Sequence, residues 1–181
     1  MLIVGLPGAG KTVLIDRAAK SPYWTVLDPD RFRRQLSPAL RRVPIPYPLY
    51  VLAIVVAIAR DTHVVVESRG TYGWLRRLVT ACARVRGREA VLVLLDAPSG
   101  DAIAGQKRRG RVVPAPLMRL NTSRWGPLLD AARNGALAAE GWSRVIVLDR
   151  AQASNVEDLG ELVRGPSAVG RDGNKRGEAD D

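Results

Sequence analysis

A chain of 181 residues, 46% apolar and 25% charged, is long enough for one α/β domain with a sizeable core and too apolar for a disordered polymer. Its formal charge of +10, carried almost wholly by arginine, favours anionic partners such as nucleotides or nucleic acid. A single cysteine and a single histidine exclude an intrachain disulfide, a cysteine-based zinc site and histidine-assisted nucleophilic catalysis at any recognisable spacing.

The chain opens on an apolar run, Leu2 to Val4, followed by Gly5-Leu6-Pro7-Gly8-Ala9-Gly10-Lys11-Thr12 and a helical pattern over 13–19. That octet matches the phosphate-binding loop G-x-x-x-x-G-K-[ST], in the strand–loop–helix setting the motif requires. Gly5, Gly8 and Gly10 let the backbone turn tightly and approach a phosphate chain without a Cβ in the way. The N–H groups around Ala9 and Gly10 then form an anion nest at the positive end of the next helix. Lys11 supplies a compact cation for the β- and γ-phosphates, and Thr12 a hydroxyl for Mg²⁺.

Trp24 to Asp28 reads as a second strand, with Asp30 as N-cap of a short basic helix over 31–36 stopped by Pro38. Pro44, Pro46 and Pro48 mark a stiff connection, and Leu49 to Arg60 an apolar helix. The apolar stretch from Pro48 to Ala59 is too short to span a membrane and no signal peptide is discernible, so a cytoplasmic protein is expected. His63 to Glu67 is a β-branched run of the kind found in central parallel strands, with His63 packing at its start. An amphipathic helix is expected over 74–85, with Arg76, Arg77 and Arg84 outward and Cys82 a buried small hydrophobe. Ala90 to Asp96 is a further buried strand; 98–101 is a turn and cap before a helix over 102–109. A basic loop over 110–114, helices over 115–121 and 128–140, a strand over 144–149 and a helix over 156–163 follow. Residues 165–181 lose apolar character and read as a disordered tail after a single domain over 1–164.

Strands alternating with helices predict a parallel five-stranded sheet with helices on both faces. Ligands of such sheets bind beyond the carboxyl ends of the strands. Gly5, Asp28, Glu67 and Asp96 all fall there, so one edge collects a phosphate loop and three carboxylates.

Phosphoryl transfer to an alcohol needs positioning, charge neutralisation and a carboxylate to take the acceptor proton. Asp30 is the candidate base, with helix capping as its other role and Asp28 as its competitor. Arg33, one turn on, shares its helical face and could grip an anionic group of the acceptor. Glu67 ends the central strand where a carboxylate would hold Mg²⁺ through water; its other reading is packing or a salt bridge with Arg69. Lys107-Arg108-Arg109-Gly110-Arg111 is the densest basic cluster, and Arg109 and Arg111 suit a lid over about 105–114 that stabilises the transferring phosphate. Trp125 either stacks a base or packs in the core.

In this order the motifs resemble the small P-loop kinases of the polynucleotide 5′-kinase type, which include chloramphenicol phosphotransferase, gluconate kinase and the zeta toxins. The resemblance runs from Met1 to about Trp125. Asp30-Arg31-Phe32-Arg33 resembles the D-x-x-R element, Val64-Val65-Val66-Glu67-Ser68 the strand ending in an acid, Val93-Leu94-Leu95-Asp96-Ala97-Pro98 the D-x-P strand end, and Arg108 to Pro114 the R-G-x-x-V-P lid. It implies a P-loop NTPase fold of the nucleoside-kinase kind with a small basic lid. It also implies Asp30 as base, Arg33 on the acceptor and Arg109 on the donor phosphates. Gly105 stands about where the family carries an earlier lid arginine.

The expected activity is ATP- and Mg²⁺-dependent transfer of the γ-phosphate to a hydroxyl, on either a polynucleotide 5′ end or a small molecule. The other readings are a non-kinase P-loop NTPase or nucleotide switch working through a partner, and a nucleic-acid-binding module with a vestigial site.

Overall fold

The computed structural model describes residues 1–38, 46–108 and 113–164. Its strands are β1 (Leu2–Gly5), β2 (Trp24–Leu27), β3 (His63–Ser68), β4 (Val91–Leu95) and β5 (Arg144–Leu148). They form one five-stranded sheet in the order β2-β3-β1-β4-β5, with every pairing parallel. β1 and β4 are buried along their whole length, as their unbroken apolar runs require of strands covered on both faces.

The helices are α1 (Lys11–Ala18), α2 (Pro29–Gln35), α3 (Pro46–Arg60), α4 (Gly73–Val85), α5 (Ser99–Arg108), α6 (Ala115–Arg133), α7 (Arg150–Asn155) and α8 (Leu159–Arg164), with a 3₁₀ turn at Ala136–Glu140. The chain moves outward from β1 to β2, then reverses through β3, β4 and β5. Right-handed crossovers therefore put α1 on one face and α3 and α4 on the other. The contacts agree: α3 packs on α4, while the Arg17 guanidinium of α1 donates to the carbonyls of Ala153 and Val156 beside α7. The reversal leaves a crevice at the carboxyl end of β1.

Several local expectations are corrected. Asp28, not Asp30, is the N-cap of α2: its carboxylate accepts from the N–H groups of Asp30 (2.6 Å) and Arg31 (3.1 Å), with Pro29 at the first helical position, where a missing N–H costs nothing. Pro46 and Pro48 belong to the first turn of α3 for the same reason. Residues 99–101, expected as turn and cap, are already helical in α5. The two helices expected over 115–121 and 128–140 are one, α6, running through Pro127, and the 3₁₀ turn follows it. Met118, Asn121, Trp125, Leu128 and Leu129 form a single buried stripe, and that burial outweighs the local penalty of Gly126 and Pro127. Asp149 leaves β5 to cap α7 in a reciprocal capping box with Gln152, so the last helical stretch starts earlier than expected and is split into α7 and α8.

Arg76 does not point outward. It is 9% exposed, forks onto both carboxylate oxygens of Glu140 (2.8 and 2.6 Å) and donates to Gly70 O at 2.5 Å. Cys82 is half-buried rather than buried. His63 packs edge-on against Trp24 but is itself exposed.

Candidate active site

The turn from β1 into α1 is built as its glycines demand. Gly8 has φ 91° and Gly10, the N-cap of α1, φ 102°, both in the left-handed region that a Cβ penalises. Ala9 N donates to Leu6 O at 3.0 Å, closing the loop on itself. Lys11 is 6% exposed and folds back along the loop, its Nζ donating to the carbonyls of Gly5 (3.0 Å) and Leu6 (3.2 Å).

Glu67 lies opposite. The register pairs it with Ile3, so β3 delivers its carboxylate to the mouth of the loop. Thr12 Oγ1 donates to Glu67 Oε2 at 3.0 Å, and Lys11 Nζ lies 3.8 Å from Oε1. Among the described residues Glu67 therefore pairs with the loop, not with Arg69. Burial pushes its carboxyl above the ordinary glutamate value; Lys11 opposes this, Asp28 adds to it, Thr12's hydrogen bond opposes it, and Asp30 adds to it. Asp28 and Asp30 thus act electrostatically on the same neighbourhood as Lys11, Thr12 and Glu67.

α2 separates the two aspartates. Asp28 is 6% exposed and engaged in capping, which explains a carboxylate at the end of β2 without chemistry. Asp30 sits in the first turn and is exposed, as is Arg33 one turn on; the sequence placed these two on one face, and α2 is helical throughout that span. Asp96, the third strand-end acid, pairs with Arg133 at 2.8 Å.

Two contributors, Tyr50 and Gln106, escaped the sequence reading, and Gly105 has a packing role that reading did not give it. Tyr50 on α3 places its hydroxyl 2.9 Å from both Leu27 O and Glu67 O, tying the ends of β2 and β3 together; burial, then Glu67, Asp28 and Tyr47, raise its pKa well above the ordinary tyrosine value. Gln106 on α5, 5% exposed, donates to Pro7 O (2.8 Å) and accepts from Val113 N (2.8 Å). Gly105 lets α5 rest on the loop backbone: a Cβ there would stand 2.6 Å from Gly8 O, and one on Gly8 2.1 Å from Ala102 O. Of these only Gly105 carried a signal, as a glycine within a helical pattern.

Arg109 and Arg111 lie outside the described residues, as do Gly110 and the tail over 165–181. Trp125 is 5% exposed and belongs to the core. No described helix is long and apolar enough to cross a membrane.

A family model described as an AAA domain matches residues 1–125, more than half of the chain. The chain belongs to that family.

The solved structures similar to this AAA-domain protein share its fold. A gluconokinase from Sinorhizobium meliloti 1021 aligns with TM-score 0.59 and 22% identity, covering 90% of each chain. The tunicamycin resistance protein of Deinococcus radiodurans aligns with TM-score 0.52 and 17% identity, covering 91% of this chain and 92% of that one. A structure of the PezAT chromosomal toxin–antitoxin system of Streptococcus pneumoniae aligns with TM-score 0.62 and 16% identity, covering 90% of this chain and 74% of the other. No curated protein matches in sequence. The fold is that of a P-loop NTPase, a parallel five-stranded α/β sheet with helices on both faces.

Proposed function

We propose that this protein is a P-loop kinase that transfers the γ-phosphate of ATP to the hydroxyl of an acceptor, with Mg²⁺. The observation that carries the reading is the convergence of Thr12 and Lys11 on Glu67 at the mouth of the glycine loop, with Asp30 acting electrostatically on the same carboxylate. A hydroxyl beside a carboxylate is a hard oxygen pair that fits Mg²⁺. When bound, the ion neutralises charge on the donor phosphates.

The loop N–H groups from Gly8 to Thr12 would bind the donor phosphates, and Lys11 would turn from the Gly5 and Leu6 carbonyls to them. Thr12 would hold the ion directly and Glu67 through water. Asp30 would orient the acceptor hydroxyl and take its proton as the new O–P bond forms and the β–γ bridging bond breaks, releasing ADP. Arg33 would hold an anionic group of the acceptor. Arg109 and Arg111 are proposed, from their place in the sequence alone, to close over the transferring phosphate. The kinase domain would occupy 1–164 in a cytoplasmic protein. The similarity to gluconokinase and the motif order favour the small-kinase group that includes polynucleotide 5′-kinases, chloramphenicol phosphotransferase and the zeta toxins.

The test is transfer of labelled γ-phosphate from ATP to an acceptor panel by wild type and Asp30→Asn. The expected loss in kcat for the variant is on the order of 10²–10⁴, with the KM for ATP changed less than about threefold. Hydrolysis of ATP by both proteins at equal rates, with no acceptor labelled, would replace the kinase by a nucleotide switch. Tight, salt-dependent oligonucleotide binding without any nucleotide affinity would point to a nucleic-acid module.

A further inference from the structure

The chain holds only four tyrosines, four tryptophans and one phenylalanine, yet five of these lie on α2, the start of α3, the start of α4 and the loop beyond Glu67. Phe32 on α2 packs against Tyr50 at 5.6 Å between ring centroids. Tyr47, one turn before Tyr50 on α3, meets Trp74 at the start of α4 edge-on at 6.1 Å. Tyr72, in the loop that leaves Glu67 and β3, lies under the guanidinium of Arg124 at 5.7 Å. Burial raises the Tyr47 hydroxyl above its ordinary value, Tyr72 adds to this and Arg69 opposes it, so these polar ends share one neighbourhood. From Glu67 the patch is continuous: Tyr50 touches the Glu67 carbonyl, Tyr47 follows on the same helical face, and Trp74 and Tyr72 flank it.

These outer rings are not core. Tyr47 is 42% exposed, Tyr72 39% and Trp74 48%, beside a fold that buries most of its other large apolar side chains. The two segments that meet at Tyr72 and Arg124 also carry three side-chain polar atoms that are buried without a hydrogen-bond partner: Thr71 Oγ1 on the loop, and Asn121 Nδ2 and Trp125 Nε1 one turn apart on α6. Thr71 adjoins Tyr72 and Trp125 adjoins Arg124, so polar groups without a protein partner neighbour the aromatic patch along the chain.

We infer that the acceptor is an alcohol built on a flat unsaturated ring with an anionic or oxygen-rich substituent, its ring seated on Tyr47, Tyr72 and Trp74 and its charge facing Arg124 and Arg69. Flat rings stack on exposed aromatic side chains, and an open-chain polyol has no face to offer them. Arginine adds planar recognition of an anion on the same ligand. This rests on the kinase reading and narrows its acceptor. The ring can come from a nucleobase or from an aryl aglycone.

Matched acceptor pairs separate these. Adenosine 3′-phosphate is compared with ribose 3-phosphate, and 4-nitrophenyl β-D-glucuronide with methyl β-D-glucuronide, with gluconate as the open-chain control and labelled ATP as donor. The expected result is that at least one flat-ring member is phosphorylated with kcat/KM about tenfold or more above its ringless partner. Trp74→Leu and Tyr72→Leu should then raise the KM for that acceptor by about tenfold while the KM for ATP stays within about twofold. Trp74→Phe should restore it, which loss of folding would not allow. Which pair responds assigns the ring to nucleobase or aryl chemistry. Phosphorylation of gluconate or the ringless partners equal to or above the ringed ones, unaffected by either leucine variant, would overturn the inference and leave the kinase standing. Label on no acceptor, with ATP still bound, would remove both.

Discussion

Glu67 combines a cation partner, a hydroxyl partner and two nearby acids in one partly sealed position, and the net effect is a carboxyl raised above its ordinary value. A raised carboxyl is already protonated at a pH where a solvated glutamate is still charged. Activity that depends on the charged form is therefore present at high pH and lost as pH falls through this raised value, earlier than for an ordinary glutamate. The acid limb of kcat/KM should lie above the usual carboxylate range in wild type and vanish in Glu67→Gln, whose remaining activity should be flat there. A limb that stays in Glu67→Gln would assign it to another group. Gly105 offers a second residue-scale test. Gly105→Ala places a methyl 2.6 Å from Gly8 O, against backbone that cannot rotate away. The loop and α5 must part, at about 1–3 kcal/mol, read by chemical denaturation. The KM for ATP should rise with it, because Gly8 belongs to the proposed phosphate nest.

At the scale of elements, α6 shows tertiary burial overriding local preference. Gly126 sits exposed in its interior, and a Cβ there would meet nothing within 4 Å. Pro127 follows it, however, and a proline ring crowds a Cβ on the preceding helical residue, so Gly126→Ala should not gain the usual amount of about 0.5–1 kcal/mol for such an exchange and should leave the denaturation midpoint unchanged or lower, with an unchanged slope. α5 has a different task. Through Gln106 it is tied to the loop at Pro7 O and to the chain beyond the basic segment at Val113 N, while Gly105 brings its backbone against Gly8. The resemblance to kinases that carry an arginine near Gly105 meets a steric fact here: at Gly105 the helix lies against the Gly8 carbonyl, too close for a side chain at that position. α2 is shaped by Asp28, whose capping of two N–H groups sets the helix start so that Asp30 falls inside the first turn.

At the scale of the whole molecule, the Arg76–Glu140 pair joins α4 to the 3₁₀ turn after α6, and Arg76 also holds the Gly70 carbonyl of the loop beyond β3. Gly70 is forced by that packing, since a Cβ there would lie 2.4 Å from Val4 Cβ. Both side chains of the ion pair are 11% exposed. Burial alone would raise the Glu140 carboxyl, but hydrogen bonds from Arg76 and Trp142 and the charges of Arg76 and Arg77 outweigh it and hold the group below its ordinary value. A depressed carboxyl contributes stability above its unfolded pKa and loses it as pH falls through the folded one. Glu140→Gln should cost roughly 3 kcal/mol at neutral pH, because Arg76 keeps its buried charge. Its stability should also fall less steeply than wild type on acidification. Parallel pH curves for the two proteins would reassign the acid sensitivity to other carboxylates.

By itself the sequence determined what depends on local chemistry and period. The glycine loop, the five strands and their parallel alternation, and the set of strand-end acids are all legible, because φ restrictions, apolar run length and crossover handedness act within tens of residues. Helix starts were legible only in part: Asp28 and Asp30 both qualify as caps in the sequence, and only the hydrogen-bond geometry distinguishes them. The tertiary structure decided which of the strand-end acids faces the loop. Asp28 caps α2, Asp96 pairs with Arg133, and Glu67 meets Thr12 because the β1–β3 register puts it there. It also decided that Arg76 turns inward, that α6 is continuous, and that aromatic side chains from α2, α3, α4 and one loop meet beside Glu67. Each of these depends on contacts between segments far apart in sequence, and such contacts are fixed by the packing of the whole sheet and its helices rather than by any local preference.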